Sequence, residues 1–418
     1  MSEIVLVTIS GRDRKGINSH FTRILGKYGV NVLDIGQSVI HEHILLGILV
    51  EIPDAGDFSS IFKEMLIQGH SLSLKVDIRP VSPEDYDQWV CARRQERRII
   101  TLLGKRLTAF QISRVTQIIA EHDLNIDRIS RLTGRIPLGA PFCSRNSNPS
   151  LSRKDRACIR MHVSGTPKNL YAMRAGFMDI SRSTGIDISF HMESVYSKNR
   201  KLVVFDMDST LIQAEVIDEL AKIVGVGDAV AAITASAMAG EMDFKESFTK
   251  RVSLLRGIGE EELERLAPTL PLSEGVELVT KTLKDLGYKL GILSGGFTFM
   301  GRYLQKRLNF DYLYANELDI EDGKVSGKVK GEVIDGEKKA DLLREIAQRE
   351  CISLEQTIAV GDGANDLPML TIAGLGVAYN AKPVVREKTS GAISNVGLDG
   401  LLYLIGLHDR EIDTRESL

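Results

Sequence analysis

The sequence contains few cysteines and no long apolar run. Its 418 residues include four cysteines that are widely spaced and form no Cys-x-x-Cys pair. This spacing argues against a zinc site or a disulfide framework and favours a reducing, cytoplasmic location. No stretch approaches the roughly 20 apolar residues that a membrane-spanning helix needs. The first residues, MSEIV, lack a basic region followed by an apolar one, so we expect no signal peptide and no membrane partner.

The composition is that of an ordinary globular protein, but the charges are unevenly distributed. Hydrophobic residues make up 43% and charged residues 26%, and the length corresponds to two or three domains of roughly 150 residues each. Residues 1–200 carry 28 Lys and Arg against 20 Asp and Glu, whereas residues 201–418 carry 25 against 36. The basic cluster at 93–98 is interrupted by Glu96 and has no aromatic platform, so we interpret it as a solvated linker and predict no nucleic-acid partner.

The first 80 residues show the pattern of a small ferredoxin-like module. Apolar residues alternate or run together in four segments and recur at helical spacing in two others, in the order β-α-β-β-α-β. The predicted strands are Glu3–Ser10, Asn31–Val39, His43–Ile52 and Ser71–Pro80, and the predicted helices are Ile17–Tyr28 and Phe58–Gly69.

The same order of elements is repeated about 94 residues later. This distance suits tandem small domains and is too long for a solenoid repeat. An insertion rich in Gly, Pro, Ser, Asn and Arg, Gly134–Arg156, reads as a loop between the second and third strands of the repeat. The predicted elements are strands Arg98–Leu103, Leu124–Leu132, Ala157–Ser164 and Ile186–Glu193, with helices Gln111–His122 and Asn169–Thr184.

The turn after the first strand carries the motif that links these modules to a known family. It reads Gly11-Arg12-Asp13-Arg14-Lys15-Gly16, and with it the two modules resemble ACT domains, which commonly sense amino acids. Gly16 allows backbone N–H groups at the helix start to approach a carboxylate. Ala109 stands in place of this glycine in the second module. The resemblance implies an amino-acid effector such as L-serine and a homodimer, and the alternative is that both modules only support dimerisation.

Two aspartates follow the first apolar run of the C-terminal half. Lys201–Phe205 is typical of a buried parallel strand, and Asp206 and Asp208 come directly after it. Aspartates two residues apart in an extended segment point to the same side, and open α/β sheets bind ligands beyond the carboxyl ends of their strands. An ordinary Asx turn or helix cap is the alternative for each of them.

Two further apolar runs end in polar motifs. Lys289–Leu293 leads into Ser294-Gly295-Gly296, which we expect to open a helix and to suit a phosphate, although serine is also an ordinary N-cap. Thr357–Val360 leads into Gly361-Asp362-Gly363-Ala364-Asn365-Asp366. The helix predicted over Gly336–Gln348 carries Lys338 and Lys339, and spacing alone would leave both lysines in solvent.

The four motifs in this order resemble those of the haloacid dehalogenase-like superfamily, and within it those of phosphoserine phosphatases. In that family the first aspartate, Asp206 here, is a nucleophile that forms an aspartyl-phosphate. The resemblance assigns to Asp208 the protonation of the leaving oxygen and the later deprotonation of water. It assigns to Ser294, the Gly295 N–H and Lys339 the transferring phosphoryl oxygens, whose charge they neutralise.

The same resemblance implies a magnesium ion. Mg²⁺ prefers oxygen ligands and keeps several waters. The family pattern gives it the Asp206 carboxylate, the Asp208 backbone carbonyl and the Asp362 carboxylate. Asp366 and Asn365 are implied to orient the metal ligands, and Asn365 is also expected at the substrate.

The insertion after the first strand of the catalytic half reads as a helical cap that chooses the substrate. Its predicted helices are Val216–Val224, Ala229–Met238, Phe244–Leu255 and Glu260–Leu266. By likeness to phosphoserine phosphatases, Glu215 faces a substrate ammonium and Arg251 a substrate carboxylate, which a guanidinium fork matches. Met238 and Phe244 match residues that close over the substrate. Taken singly, Glu215 could be an exposed helix residue, and the other two could be core.

The expected architecture is α/β. Two tandem ACT modules of ferredoxin-like βαββαβ order, at 1–82 and 97–195, precede a Rossmann-like three-layer α/β domain at 200–410, whose cap spans about 215–274. The expected reaction is Mg²⁺-dependent hydrolysis of O-phospho-L-serine to L-serine and phosphate, the last step of L-serine biosynthesis. The alternatives are a phosphatase or phosphotransferase acting on another small phosphomonoester, and an amino-acid-binding regulator with an inactive catalytic domain.

Overall fold

The chain divides into two structural units, Met1–Gln95 and Glu96–Leu418. A computed structural model of the protein describes residues 3–52, 58–92, 95–134, 156–238 and 242–416. No helix within these ranges is both long and apolar enough to cross a lipid bilayer.

The first unit contains the predicted ferredoxin-like module. Its antiparallel sheet has the strand order β2-β3-β1-β4, and one face is covered by two helices. Alternate residues of the first strand, Val5, Val7 and Ile9, are buried against the helical residues Phe21 and Ile61. The elements are β1 (Glu3–Arg12), α1 (Ile17–Lys27), β2 (Asn31–Ile40), β3 (His43–Ile52), α2 (Phe58–Ser71) and β4 (Lys75–Val81).

The charged linker after this module forms a helix that the sequence did not predict. Helix α3 spans Pro83–Ala92, with proline at its first position and Glu84 and Asp85 in its first turn. Both features favour a helix start. Within this unit, Trp89 and Tyr86 line a cavity of about 410 Å³ on the sheet side, and their ring centroids are 6.0 Å apart.

The second unit begins with a module of the same fold. The sheet order β6-β7-β5-β8 repeats that of the first module, and all its neighbouring strands are antiparallel. Most of the predicted insertion, residues 135–155, lies outside the described part of the chain. The elements are β5 (Arg97–Gly104), α4 (Ala109–Glu121), β6 (Asn125–Arg131), β7 (Ala157–Ser164), α5 (Leu170–Thr184) and β8 (Asp187–Met192).

The first helices of the two modules start differently. Gly16 is the N-cap of α1 and has a φ of 92°, a left-handed conformation that favours glycine. Helix α4 is capped by Thr108, whose Oγ1 accepts a hydrogen bond from the Gln111 N–H at 3.3 Å. Thr108, rather than Ala109, therefore stands at the position of Gly16, and the expected alignment was wrong by one residue. A threonine cap satisfies one N–H group at the start of the helix, whereas Gly16 has no side chain that could do so.

The catalytic half is built from a central sheet with helices on both faces and a four-helix cap. The first strand and the cap are β9 (Leu202–Phe205), α6 (Val216–Ile223), α7 (Gly227–Met238), α8 (Phe244–Ser253) and α9 (Glu260–Leu266). The remaining elements are α10 (Val276–Asp285), β10 (Lys289–Phe297), α11 (Thr298–Leu308), β11 (Tyr312–Glu321), β12 (Lys324–Lys330), α12 (Gly336–Arg349), β13 (Thr357–Gly361), α13 (Leu367–Ile372), β14 (Leu375–Tyr379), α14 (Pro383–Glu387), β15 (Gly391–Ile393), α15 (Gly400–Leu404) and α16 (Asp409–Glu416).

The catalytic sheet has the order β12-β11-β10-β9-β13-β14-β15, and all neighbouring strands are parallel except the pair β11 and β12. Strand β9 is buried along its whole length at the centre of this sheet. Such a strand must be apolar on both faces, which is why it reads as a continuous apolar run. The predicted fold class, ferredoxin-like modules followed by a capped Rossmann-like domain, is confirmed.

The second module docks along the far edge of this sheet. The Phe190 N–H of β8 donates to the Ser390 carbonyl, next to β15, at 2.9 Å. Leu103 of β5 is fully buried among the core residues of the catalytic domain and packs against Gly400 of α15. Because both parts share one unit and one core, the boundary expected between residues 195 and 200 remains a prediction.

This shared core predicts the outcome of a single truncation. Replacing Leu103 with alanine leaves a cavity between the second module and the catalytic domain, and we expect it to lower the free energy of unfolding by about 2–5 kcal/mol. Leu170→Ala is the control, because Leu170 is partly exposed at the start of α5, and its effect should stay within about 0.5 kcal/mol. Urea unfolding measures both. Equal, small losses in the two variants would contradict the shared core.

Candidate active site at the carboxyl ends of the central strands

Three strand ends meet at the centre of the catalytic sheet. Phe205, the last residue of β9, pairs with Ile292 of β10 on one side and with Val360 of β13 on the other. The residues that follow these strands therefore lie at one edge. Asp206 comes directly after β9, and its N–H donates to the Val360 carbonyl at 2.9 Å, which fixes the first of them.

An acidic cluster occupies this edge. The carboxylates of Asp206, Asp362 and Asp366 have oxygen atoms within 4.8 Å of one another. Thr210 Oγ1 donates to Asp362 Oδ1 at 3.3 Å, and the Gly363 N–H donates to Asp366 Oδ2 at 3.0 Å. Oxygen donors held at this spacing are suited to a hard divalent cation.

Lys339 is the cation that the structure itself supplies. Its side chain projects from α12, is 0% exposed, and its Nζ lies 2.5 Å from Asp206 Oδ1 and 2.7 Å from Asp366 Oδ1. Burial alone would lower the pKa of this ammonium, but the two carboxylates raise it above its ordinary value, so the group stays charged. A buried lysine of this kind requires both partners.

One ammonium does not balance three carboxylates. Burial and the neighbouring Asp366 and Asp362 raise the pKa of Asp206 to about 8, although Lys339 opposes the shift. Burial and Asp366 likewise raise the pKa of Asp362 to about 7. A divalent cation bound among these oxygens would offset the repulsion and restore the ionised forms. The donor set therefore fits such a metal ion.

Asp208 lies at the same edge of the sheet, next to the first cap helix. Its Oδ1 accepts a hydrogen bond from the Val216 N–H, at the start of the cap, at 3.4 Å. A Cβ at Gly296 would come within 2.4 Å of its Oδ2, so only glycine leaves room for this carboxylate. Burial, and then the charges of Glu215 and Asp206, raise the pKa of Asp208 well above its ordinary value. It is therefore a group that can keep a proton to donate.

The segment Ser294-Gly295-Gly296 continues the strand. Helix α11 begins only at Thr298, so the expectation that these residues open a helix was wrong, because β10 keeps pairing with β11 beyond them. Ser294 is buried and its Oγ accepts from the Gly296 N–H at 2.9 Å. Asn316 Nδ2 donates to the Gly295 carbonyl at 2.7 Å, which fixes the peptide unit beside the acidic cluster.

A close backbone approach positions the helix that carries Lys339. A Cβ at Gly336, the first residue of α12, would come within 2.5 Å of the Asn365 carbonyl oxygen. Glycine therefore lets α12 start against the loop after β13. The side chain of Asn365 is exposed, whereas the neighbouring Asp366 is fully buried.

The cap contributes two oppositely charged side chains, Glu215 and Arg251, near the acidic cluster. Ser209, in a left-handed conformation with a φ of 56°, donates from Oγ to Glu215 Oε1 at 2.7 Å. Glu215 is accessible to solvent, yet the surrounding protein desolvates it enough to raise its pKa. Desolvation lowers the pKa of Arg251, and Asp218 and Glu215 oppose that change. The Arg251 Nε is buried and has no hydrogen-bond partner among the described residues.

Two of the expected substrate residues cannot be placed. Helix α7 ends at Met238 and helix α8 begins at Phe244, but both side chains lie outside the described part of the structure. Their expected contact with the substrate stays a prediction.

Sequence reasoning missed two residues that the structure brings to this site. Thr210 belongs to the motif that follows β9, so the motif offered a signal for its contact with Asp362. Asn316 is a buried polar residue of β11. Nothing near it in the sequence indicates that its amide bridges the Gly295 carbonyl and the Ile334 N–H, to which its oxygen lies at 2.8 Å.

Comparison with known proteins agrees with this geometry. A family model for haloacid dehalogenase-like hydrolases matches residues 203–371, and one for ACT domains matches residues 3–79. The phosphoserine phosphatase of Streptomyces coelicolor is 37% identical over 414 residues, which cover 99% of this chain and 95% of that one. The phosphoserine phosphatase of Mycobacterium tuberculosis is 34% identical with the same coverage.

A solved structure supports the same relationship. The probable phosphoserine phosphatase of Vibrio cholerae aligns with a TM-score of 0.56 and 32% identity, covering 78% of this chain and 90% of that one. The fold and the site thus define a haloacid dehalogenase-like hydrolase preceded by ACT-type modules. The chain belongs to the phosphoserine phosphatase family.

An ion pair joins the cap to the helix that carries the buried lysine. Lys245 of α8 lies 3.0 Å from Asp335, the N-cap of α12, which also accepts a hydrogen bond from the Lys338 N–H at 2.9 Å. We expect Lys245→Ala to increase amide exchange at residues 335–339 by about two- to fivefold, because exposed ion pairs make contributions of this size.

Lys250→Ala is the matched control for this exchange measurement. Both lysines are on α8 and 49% exposed, but Lys250 pairs with Glu246 of its own helix. The control should therefore leave exchange at residues 335–339 unchanged. The same response in both variants would contradict a link between cap and core.

Proposed function

We propose that this protein is a phosphoserine phosphatase that hydrolyses O-phospho-L-serine to L-serine and phosphate with Mg²⁺, the last step of L-serine biosynthesis. The observation that carries the proposal is one edge of one sheet. There Asp206, the residue assigned as nucleophile, lies against the buried Lys339 ammonium, and the cap above carries Arg251, whose buried Nε has no hydrogen-bond partner among the described residues. Relatives that span nearly the whole chain bear the same name.

The first half of the reaction is transfer of the phosphoryl group to Asp206. A carboxylate oxygen of Asp206 attacks phosphorus, and the bond between phosphorus and the seryl oxygen breaks. Asp208 donates its proton to that oxygen, so L-serine leaves as a neutral alcohol. The hydrogen bond from the Val216 N–H to Asp208 supports this role, because it fixes the position of the carboxyl group at the start of the cap.

The second half is hydrolysis of the aspartyl-phosphate. Asp208, now ionised, takes a proton from a water molecule whose oxygen attacks phosphorus. The bond to Asp206 breaks, and phosphate leaves with Asp206 regenerated. The cap limits bulk water while it admits the attacking molecule.

Charge neutralisation comes from the chain and from the metal. Lys339, the Ser294 hydroxyl and the Gly295 N–H hold the phosphoryl oxygens, where they offset the charge that opposes nucleophilic attack. The Asp206 and Asp362 carboxylates and the Asp208 backbone carbonyl would hold Mg²⁺, and Asp366 and Asn365 support that site. When bound, the metal neutralises phosphoryl charge and orients the phosphate for in-line attack.

Substrate choice follows from the charges of the cap. The Arg251 guanidinium binds the substrate carboxylate, and Glu215, held by Ser209, binds its ammonium. Met238 and Phe244 close over the substrate. A related phosphatase of another small phosphomonoester is the alternative, and the paired cap charges favour the amino-acid ester.

The N-terminal modules are proposed to regulate this activity. Gly16 leaves the start of α1 open to a carboxylate, which supports an amino-acid effector such as L-serine at the first module. ACT-type modules commonly pair across protomers, which supports a homodimer. The described cysteines, Cys91, Cys158 and Cys351, are unpaired thiols, which supports a cytoplasmic location.

The nucleophile assignment predicts a nearly inactive variant. Asp206→Asn removes the attacking oxygen charge, so phosphate release from O-phospho-L-serine should fall by at least about 10³-fold. Asp341→Asn, at an exposed aspartate of α12 paired with Arg344, should retain full activity. Acid-quench trapping of labelled phosphoenzyme should succeed in the control alone. Full turnover in Asp206→Asn would defeat the assignment.

The two cap charges predict separable effects on three substrates. Arg251→Met should raise KM for phosphoserine about 10- to 100-fold, the range for hydrogen bonds to charged groups. It should leave phosphoethanolamine, which has no carboxylate, unaffected. Glu215→Gln should raise KM for phosphoserine and for phosphoethanolamine, which both carry an amine. It should leave KM for phosphoglycolate, which has no amine, unchanged. If each variant impaired all three esters equally, the specificity assignment would fail.

A further inference from the structure

The two described ends of the insertion Gly134–Arg156 are both fastened to the catalytic domain. The Gly134 N–H donates to Asp409 Oδ2 near the start of α16. The Arg156 guanidinium lies 2.5 Å from Asp399 Oδ2 and 3.1 Å from Glu274 Oε1. The Arg156 side chain is only 3% exposed, so a buried guanidinium makes both of these contacts.

Glu274 stands where the cap returns to the core. The segments that enter and leave the cap pair with each other, as Ile212 bridges to Leu272 and the Gln213 N–H donates to the Pro271 carbonyl at 2.9 Å. We call this pair, residues 211–214 and 271–275, the cap hinge. Helix α10 of the core begins one residue after it, so Glu274 is the last side chain of the hinge.

Asp399 presses against the same turn. Gly275 has a φ of 81°, and a Cβ there would come within 2.1 Å of Asp399 Oδ1. The Leu398 N–H donates to the Glu274 carbonyl at 2.7 Å. Backbone and side-chain contacts thus join the hinge to the segment that precedes α15.

Arg156 supplies the charge that this arrangement needs. Asp399 is buried, and its Oδ1 has no hydrogen-bond partner among the residues that the structure describes. The carboxylate depends on Arg156 for compensation, because a buried charge without a partner is strongly unfavourable. The planar fork of one guanidinium therefore holds two carboxylates from two segments in fixed positions.

We propose that Arg156 is a positioning residue that anchors the cap hinge to the second ferredoxin-like module. It carries changes in that module to the cap and so to the substrate residues Glu215 and Arg251. The link lies in the hinge rather than in the acidic cluster, so it acts on substrate binding and cap movement. The kinetic part of the inference rests on the proposed phosphatase activity, whereas the exchange measurements below do not.

Glu274→Gln tests the hinge contact without disturbing the buried pair of Arg156 and Asp399. The matched control is Glu387→Gln, because Glu387 of α14 also pairs with an arginine of the second module, Arg182, at 2.9 Å. The two glutamates are similarly exposed, 61% and 54%, but Glu387 lies outside the hinge.

We expect Glu274→Gln to speed amide exchange in the cap hinge by about two- to fivefold and to raise KM by a similar factor with kcat nearly unchanged. Glu387→Gln should change neither quantity. Equal exchange in the two variants and the wild type would overturn the proposal. Inactive wild-type protein with faster hinge exchange in Glu274→Gln would instead remove the proposed function and keep the anchor.

A pair of further variants separates anchoring from stability. Arg156→Met leaves the Asp399 charge buried alone, so both the unfolding midpoint and hinge protection should fall. The double variant Arg156→Met with Asp399→Asn removes that charge and should recover the midpoint, while hinge exchange stays fast. Recovery of hinge protection and KM together with the midpoint would show a purely structural role and overturn the proposal.

Discussion

The catalytic domain depends on the buried ion pairs that the Lys339 ammonium forms with the carboxylates of Asp206 and Asp366. Removing one partner of a buried ion pair costs about 3–5 kcal/mol, because it leaves a charge without compensation. The ends of β9 and β13 and the first turn of α12 are therefore fixed relative to one another. Folding free energy is used to hold the carboxylates together before substrate binds, which is the preorganisation that electrostatic catalysis requires.

Close approaches of the backbone extend this constraint outward. Glycine at 336 brings α12 against the loop after β13, and glycine at 296 leaves room for Asp208. Asp335 is the N-cap residue of α12, and it also forms an ion pair with Lys245 of the cap helix α8. The cap is therefore linked to the core through α12 and through its hinge, and the second module contacts that hinge through Arg156. The acidic cluster, the cap and the second module are thus joined by one continuous set of contacts.

The features that could be predicted from the sequence are those that a local residue pattern determines. Buried parallel strands must be apolar throughout, so β9 and β13 and the aspartates after them were evident. Lys339 was not, because helical spacing does not tell which face another segment covers, and only the family resemblance selected it. Helix α3 was missed because its charged first turn, with Glu84 and Asp85, led us to interpret the segment as a linker, although Trp89 follows Tyr86 at helical spacing. The contacts of Asn316 and Arg156 join segments far apart in the chain, and no local pattern encodes them.

The most direct test of the account is phosphate release from O-phospho-L-serine by the full chain, measured with Mg²⁺ and again after chelation. The acidic cluster around Lys339 is one cation short of balance, so we predict turnover with Mg²⁺ and its loss on chelation, restored when the ion is returned. Turnover that persists undiminished in the chelator, or no release with Mg²⁺ present, would contradict the central claim.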